Sequence, residues 1–142
     1  MSLSSLTGWN LAVDREDRYT KRHSELVTAA VRFARTLGLP AARLAAVAIA
    51  GPLHFVEKIT GPDAIRRKPG RLMANQRAVI ERHVEFGVLM VQGVPHQDAV
   101  RAAIAFHDER WDGTGYPHGA RGPAIPVLGR MMALADAHAA MI

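Results

Sequence analysis

The chain contains no cysteine. That absence excludes a disulfide framework and thiolate metal ligands alike, and it fits a cytoplasmic location. Aromatic residues make up only 6% of a sequence that is 49% hydrophobic, with alanine and leucine dominant, a balance that suits helices packed on helices. Long apolar runs are also missing. The longest, residues 44–56, is too short to cross a bilayer and is punctuated by Gly51-Pro52 and His54, so no membrane segment is expected. The start of the chain lacks the basic cluster and apolar run of a secretory signal. Residues 1–13 read as a leader or tag and residues 14–142 as one domain, long enough to bury a core without staples. No internal repeat or low-complexity segment is evident.

What is present begins with charge. The formal net charge is +5, and fifteen of the eighteen basic residues are arginine. Arginine suits a bidentate grip on phosphate, but these charges are spread over every segment and form no stripe, so a nucleic-acid polymer is not expected as a partner. The tightest group is Arg66, Arg67, Lys68 and Arg71. It reads as a solvated loop between helices, with the steering of a small phosphorylated ligand as its functional alternative.

Five helices follow from the periodicity. Residues 14–37 place His23, Leu26, Ala30, Phe33 and Leu37 on one face, and Gly38 and Pro40 end the run. Residues 41–59, interrupted or bent near Gly51-Pro52, set Val47, Gly51, His54 and Lys58 on one side. A loop marked by Gly61-Pro62-Asp63 and Lys68-Pro69-Gly70 comes next. Residues 74–91 carry Val79, His83, Phe86 and Met90 along an apolar stripe, with a break expected near Gly87. Residues 96–109 align Val100, Ile104 and His107, and then leave through the glycine-rich turn around Asp112-Gly113, Gly115 and Tyr116-Pro117. In residues 127–142, Asp136 is the only acidic side chain.

Taken singly, each inward histidine reads as a core residue bonded to a carbonyl, and Asp136 as a cap or half of an ion pair. Taken together they demand more. An unpaired buried polar group costs on the order of 1–3 kcal/mol, against a total stability of roughly 5–15 kcal/mol. Five such groups, one per helix, must satisfy one another. A divalent zinc, iron or manganese ion does so most directly, because imidazole and carboxylate are its ligands.

These residues also match a known pattern. Tyr19-Thr20 with His23-Ser24, Pro62-Asp63-Ala64-Ile65 with Lys68-Pro69-Gly70, His83 with Gly87, the run from His107 to Pro117, and Ile125-Pro126, Arg130, Asp136 and Ala140-Met141 occur in the order found in the HD-GYP domains. The chain resembles that family, the bacterial branch of the HD superfamily of metal-dependent phosphohydrolases that open cyclic di-GMP. The resemblance covers nearly everything from Tyr19 to Ile142. It implies an all-α bundle of about five main helices, C-terminally short relative to the family. It further implies metal ligands at His23, His54, His83, His107, Asp108 and Asp136. Lys58 is implied as a catalytic phosphate contact, with a substrate or partner loop at Gly115, Tyr116 and Pro117.

The departures bear on activity. Where the family has His-Asp, this chain has His54-Phe55, and Glu57 replaces the glycine that normally precedes the lysine. Asp108 stands in place of a second adjacent histidine, Val84 where proline is common, and Ala139 where the closing helix carries another aspartate. In the family the missing aspartate bridges two metals. Two dications about 3.7 Å apart repel by roughly 18 kcal/mol at an effective dielectric of about 20, so bridging anions are essential to a dinuclear site. Phenylalanine cannot bridge. The resemblance then implies one metal or none, on His23, His54 and Asp136 or on His83, His107 and Asp108.

Three functions follow as expectations. The first is a degenerate HD-GYP domain that binds cyclic di-GMP, a related nucleotide or a signalling protein with weak or no hydrolysis. The second is an active phosphohydrolase with a rearranged centre, and the third a purely structural helical module. An oligomer is compatible with each.

Overall fold

A computed structural model describes residues 18–59, 63–66 and 68–141. Its helices are α1 (Arg18–Thr36), α2 (Ala41–Ile59), the single turn α3 (Asp63–Arg66), α4 (Ala74–Glu81), α5 (His83–Met90), α6 (Gln97–Ala105) and α7 (Val127–Met141), with a 3-10 turn at Gly122–Ala124. No strand occurs among the described residues, and the expected all-α fold is what forms. The expected leader, residues 1–13, lies outside the described residues, as do Gly61, Pro62 and Arg67 of the connecting loop.

α1 ends where glycine allows it. Gly38 adopts φ 66°, and the amides of Gly38 and Leu39 turn back to the carbonyls of Arg35 and Ala34 at 2.9 and 3.0 Å, which satisfies the helix end in a Schellman arrangement. α2 runs unbroken through Pro52 instead of being interrupted. Proline has no amide to offer the Ala48 carbonyl, but Ala48 lies on the exposed side of the helix, and the helix continues.

α1 packs on α2 and α7, α2 also on α5 and α6, and α6 on α7. The shared core is built largely from small residues. Ala30, Ala34, Ala46, Ala50, Ala103 and Ala135 are fully buried beside Leu26, Val47, Val100, Ile104 and Met132. Small side chains let helix axes approach closely, so this interior needs few aromatics. Gly129 of α7 packs closely on the residue that follows α6: a Cβ there would lie 2.7 Å from the Phe106 Cβ and 3.1 Å from the Phe106 carbonyl oxygen.

Three expected details differ. Leu37, Val79 and Phe86, each assigned to an apolar face, are exposed. The break in the third helix falls at Arg82 and not near Gly87. His83 is the reason for that shift: its Nδ1–H donates to the Ile80 carbonyl at 2.6 Å, the group an unbroken helix would pair with the amide of Val84. α4 buries no residue, while α5 buries His83, Val84 and Gly87. The fourth helix likewise stops at Ala105, short of residue 109, and places His107 in the turn that follows.

Gly129→Ala is expected to destabilise the domain by about 1–3 kcal/mol, because the wall it meets is backbone as well as side chain. Urea unfolding should show a lower midpoint at unchanged slope. An unmoved midpoint would contradict the close α6–α7 contact.

Candidate metal centre

Four elements deliver the site. α2 brings His54, α5 opens with His83, the turn after α6 carries His107 and Asp108, and α7 supplies Asp136. His54, His83 and His107 are buried, and the rings lie in sequence, with centroids 4.2 Å apart for His54 and His107 and 5.3 Å for His83 and His107. His54 Nε2 lies 3.3 Å from Asp136 Oδ1.

Two of the imidazoles are oriented by the same local device. His83 Nδ1 bonds to the Ile80 carbonyl and His107 Nδ1 to the Ile104 carbonyl, each at 2.6 Å and each three residues back. A carbonyl oxygen only accepts, so Nδ1 carries the proton. In the neutral ring Nε2 therefore presents its lone pair inward. The two Nε2 atoms are 3.3 Å apart, and Asp108 Oδ2 stands 3.1 Å from His83 Nε2 and 3.2 Å from His107 Nε2.

Burial pushes the Asp108 carboxyl up, but the close approach of the His107 and His83 rings, with a hydrogen bond from Tyr116, outweighs it and holds the group well below the usual carboxylate range. Asp108 is thus an anion. Tyr116 Oη donates to Asp108 Oδ2 at 2.6 Å, and burial together with the Asp108 charge raises the phenol well above its ordinary value, so it stays a donor.

This donor set fits a divalent cation. Ligand atoms of His83, His107 and Asp108 all lie within 4.8 Å of one another. Ligands about 2.0–2.1 Å from a tetrahedral ion stand roughly 3.3–3.4 Å apart, close to the spacings seen here. A proton on one ring is the other way to satisfy the same group.

The loop that follows is folded back on Asp108. Gly113 (φ 80°) turns the chain, and its amide donates to the Arg110 carbonyl at 2.8 Å. Gly115 packs so closely that an added Cβ would lie 2.5 Å from Glu109 Cα and 2.6 Å from the Asp108 carbonyl oxygen, so only glycine fits. The Tyr116 amide donates to that same oxygen at 3.3 Å, and the Tyr116-Pro117 bond is cis. Asp112 accepts from the Thr114 hydroxyl at 2.6 Å and the Thr114 amide at 3.0 Å. The Arg130 guanidinium sits 5.6 Å from the Trp111 ring centre and ties the loop to α7.

A model of the HD domain family matches residues 8–142. The chain belongs to the HD domain family. Its relatives include the 3'3'-cGAMP-specific phosphodiesterase 2 of Vibrio cholerae, 37% identical over 88% of this chain. The cyclic di-GMP phosphodiesterase response regulator RpfG of Xanthomonas campestris pv. campestris is 39% identical over 77% of the chain, and a cyclic di-GMP phosphodiesterase of Thermotoga maritima 33% identical over 94%. The chain spans 24%, 29% and 37% of the lengths of these three.

Within this HD domain, His54, His83, His107, Asp108 and Asp136 come together, with Tyr116 against them. His23 belongs to α1 and Lys58 to α2, but their side chains, like those of Phe55 and Glu57, lie outside the described ones. Lys68, read with the basic loop, donates to Gln76 Oε1 at 2.8 Å and so anchors that loop to α4. His96, His118 and His138, assigned no ligand role, are exposed.

Glu109 was given no role by sequence reasoning. It is buried and accepts the amides of His118 at 2.6 Å and Ala120 at 2.9 Å. The only available signal was a carboxylate directly after the His-Asp pair, with glycines downstream to bring the chain back to it.

The bonds from Thr114 lower the Asp112 carboxyl from its ordinary value near 3.8 to about 2. A folded value below the unfolded one means that these bonds support the loop fully above about pH 4 and are lost as the pH falls through about 2. The amide signal of Thr114 in a pH series should therefore titrate with a midpoint near 2. A midpoint at the ordinary aspartate value would show that the Asp112–Thr114 turn does not hold in solution.

Proposed function

We propose that this HD domain is a degenerate member of the HD-GYP class in bacterial cyclic di-GMP signalling, which binds a cyclic dinucleotide or a signalling partner with little or no hydrolysis. The observation that carries it is the meeting of His83 Nε2, His107 Nε2 and Asp108 Oδ2 within 3.3 Å, in a chain that has Phe55 where the family pattern has the bridging aspartate. The names of the relatives support a cyclic dinucleotide as the ligand. Arginine-rich charge supports an anionic one.

His83, His107 and Asp108 would hold one iron, manganese or zinc ion. Such an ion supplies Lewis-acid polarisation of a phosphoryl oxygen. His54 and Asp136 form the adjoining pair, but position 55 is phenylalanine, which has no atom to offer a second ion. Tyr116 donates to Asp108 and so fixes the carboxylate; Lys58 is the group proposed to meet the phosphate. Gly115 and Pro117 shape the loop around Tyr116. The domain works in the cytoplasm in this reading, and no helix among the described residues is long and apolar enough to cross a membrane.

A second reading, hydrolysis through a rearranged centre, is favoured by Asp108. It adds a negative ligand where the family pattern has a histidine, and so offsets part of the charge lost at Phe55.

Elemental analysis after loading with manganese is expected to find about one ion per chain, lost in His107→Ala. Calorimetry should show cyclic di-GMP binding, with turnover well below ordinary enzymatic rates of about 1 per second and above. Phe55→Asp should restore a bridging anion and raise turnover by roughly tenfold or more. Ordinary turnover by the unaltered chain, abolished by His54→Ala, would refute the degenerate reading and favour the second.

A further inference from the structure

Among the described residues Glu109 is the only buried acidic side chain, 6% exposed. A carboxylate so placed must be compensated, and both its oxygens are: Oε1 by the amide of His118, Oε2 by the amide of Ala120. These bonds reach nine and eleven residues along the chain. Between their ends lie Gly115, Tyr116 and Pro117. The loop is therefore clamped at both limbs. Asp108 holds the outgoing side through the Tyr116 amide and hydroxyl, and Glu109 holds the returning side just beyond Pro117. Because Asp108 and Glu109 are consecutive, a shift of the returning limb moves the Tyr116 hydroxyl relative to the carboxylate it bonds.

We infer that Glu109 is a positioning residue: by holding the returning limb of the loop it keeps the Tyr116 hydroxyl on Asp108, and so keeps the Asp108 carboxylate turned toward His83 and His107. Its own oxygens point into the loop, and it takes no part in the ligand group. For its effect on cation binding the inference rests on the metal reading above; for its effect on Tyr116 it does not.

Glu109→Gln keeps the volume but replaces one acceptor oxygen with an NH2 group, which meets an amide N–H donor to donor. The chain has two tyrosines, so in a Tyr19→Phe background Tyr116 gives a single tyrosine ring-carbon signal. In the metal-free protein, Glu109→Gln is expected to move that signal toward the position of free tyrosine while the helical circular dichroism is unchanged. In a manganese titration of the same background, Glu109→Gln and Tyr116→Phe should each weaken binding by roughly 10- to 100-fold. The double variant should bind no more weakly than the weaker single one.

An unmoved Tyr116 signal in Glu109→Gln, or losses of affinity that multiply in the double variant, would overturn the inference. If the Tyr19→Phe protein binds no manganese, the metal reading fails, and the Tyr116 signal still decides the role of Glu109. Should Glu109→Gln not fold, Glu109→Asp retains two acceptor oxygens on a shorter arm and must displace the same signal; no displacement overturns the inference there too.

Discussion

Two imidazole nitrogens and a carboxylate oxygen brought within 3.3 Å of one another form the constraint on which the rest of this structure depends. Three electron-rich atoms at that distance repel unless positive charge lies among them. The surrounding chain is arranged to keep them there regardless. α5 starts late so that His83 can reach back to Ile80, α6 stops early so that His107 can reach back to Ile104, and the loop returns to secure Asp108. Helix boundaries that look irregular in the sequence pattern are the geometric cost of aiming these rings.

The small-residue interior serves the same end. Alanines at the α1, α2, α6 and α7 contacts bring the helices close enough for side chains from four elements to meet. Gly129 against Phe106 and Gly115 against the backbone of residues 108–110 do this locally, at the two edges of the turn that carries His107 and Asp108. Larger residues at these positions would separate the gathered side chains before they disturbed the fold class.

Much of this was legible in the sequence, for physical reasons that differ by residue. His54, His83 and Asp136 stood out because a polar residue on an apolar helical face needs an explanation, and the structure gathers them. Glycine spacing around Tyr116 announced a tight loop, and a tight loop is there. Periodicity failed where a side chain overrides the backbone ladder. It drew one stripe through Val79 and Phe86, whereas the buried side runs through His83, Val84 and Gly87. It carried the fourth helix to residue 109 because nothing in the pattern says that His107 will take a carbonyl from its own helix. Glu109 was invisible because its partners are main-chain amides of His118 and Ala120, and an amide has no residue type to read.

The carbonyls of Ile80 and Ile104 belong to the last turns of α4 and α6. A helix terminates in partial negative charge, so each imidazole is polarised from behind by the electrostatic end of the rod that precedes it. The setting of these two rings is in that sense partly the work of two peptide dipoles at helix ends.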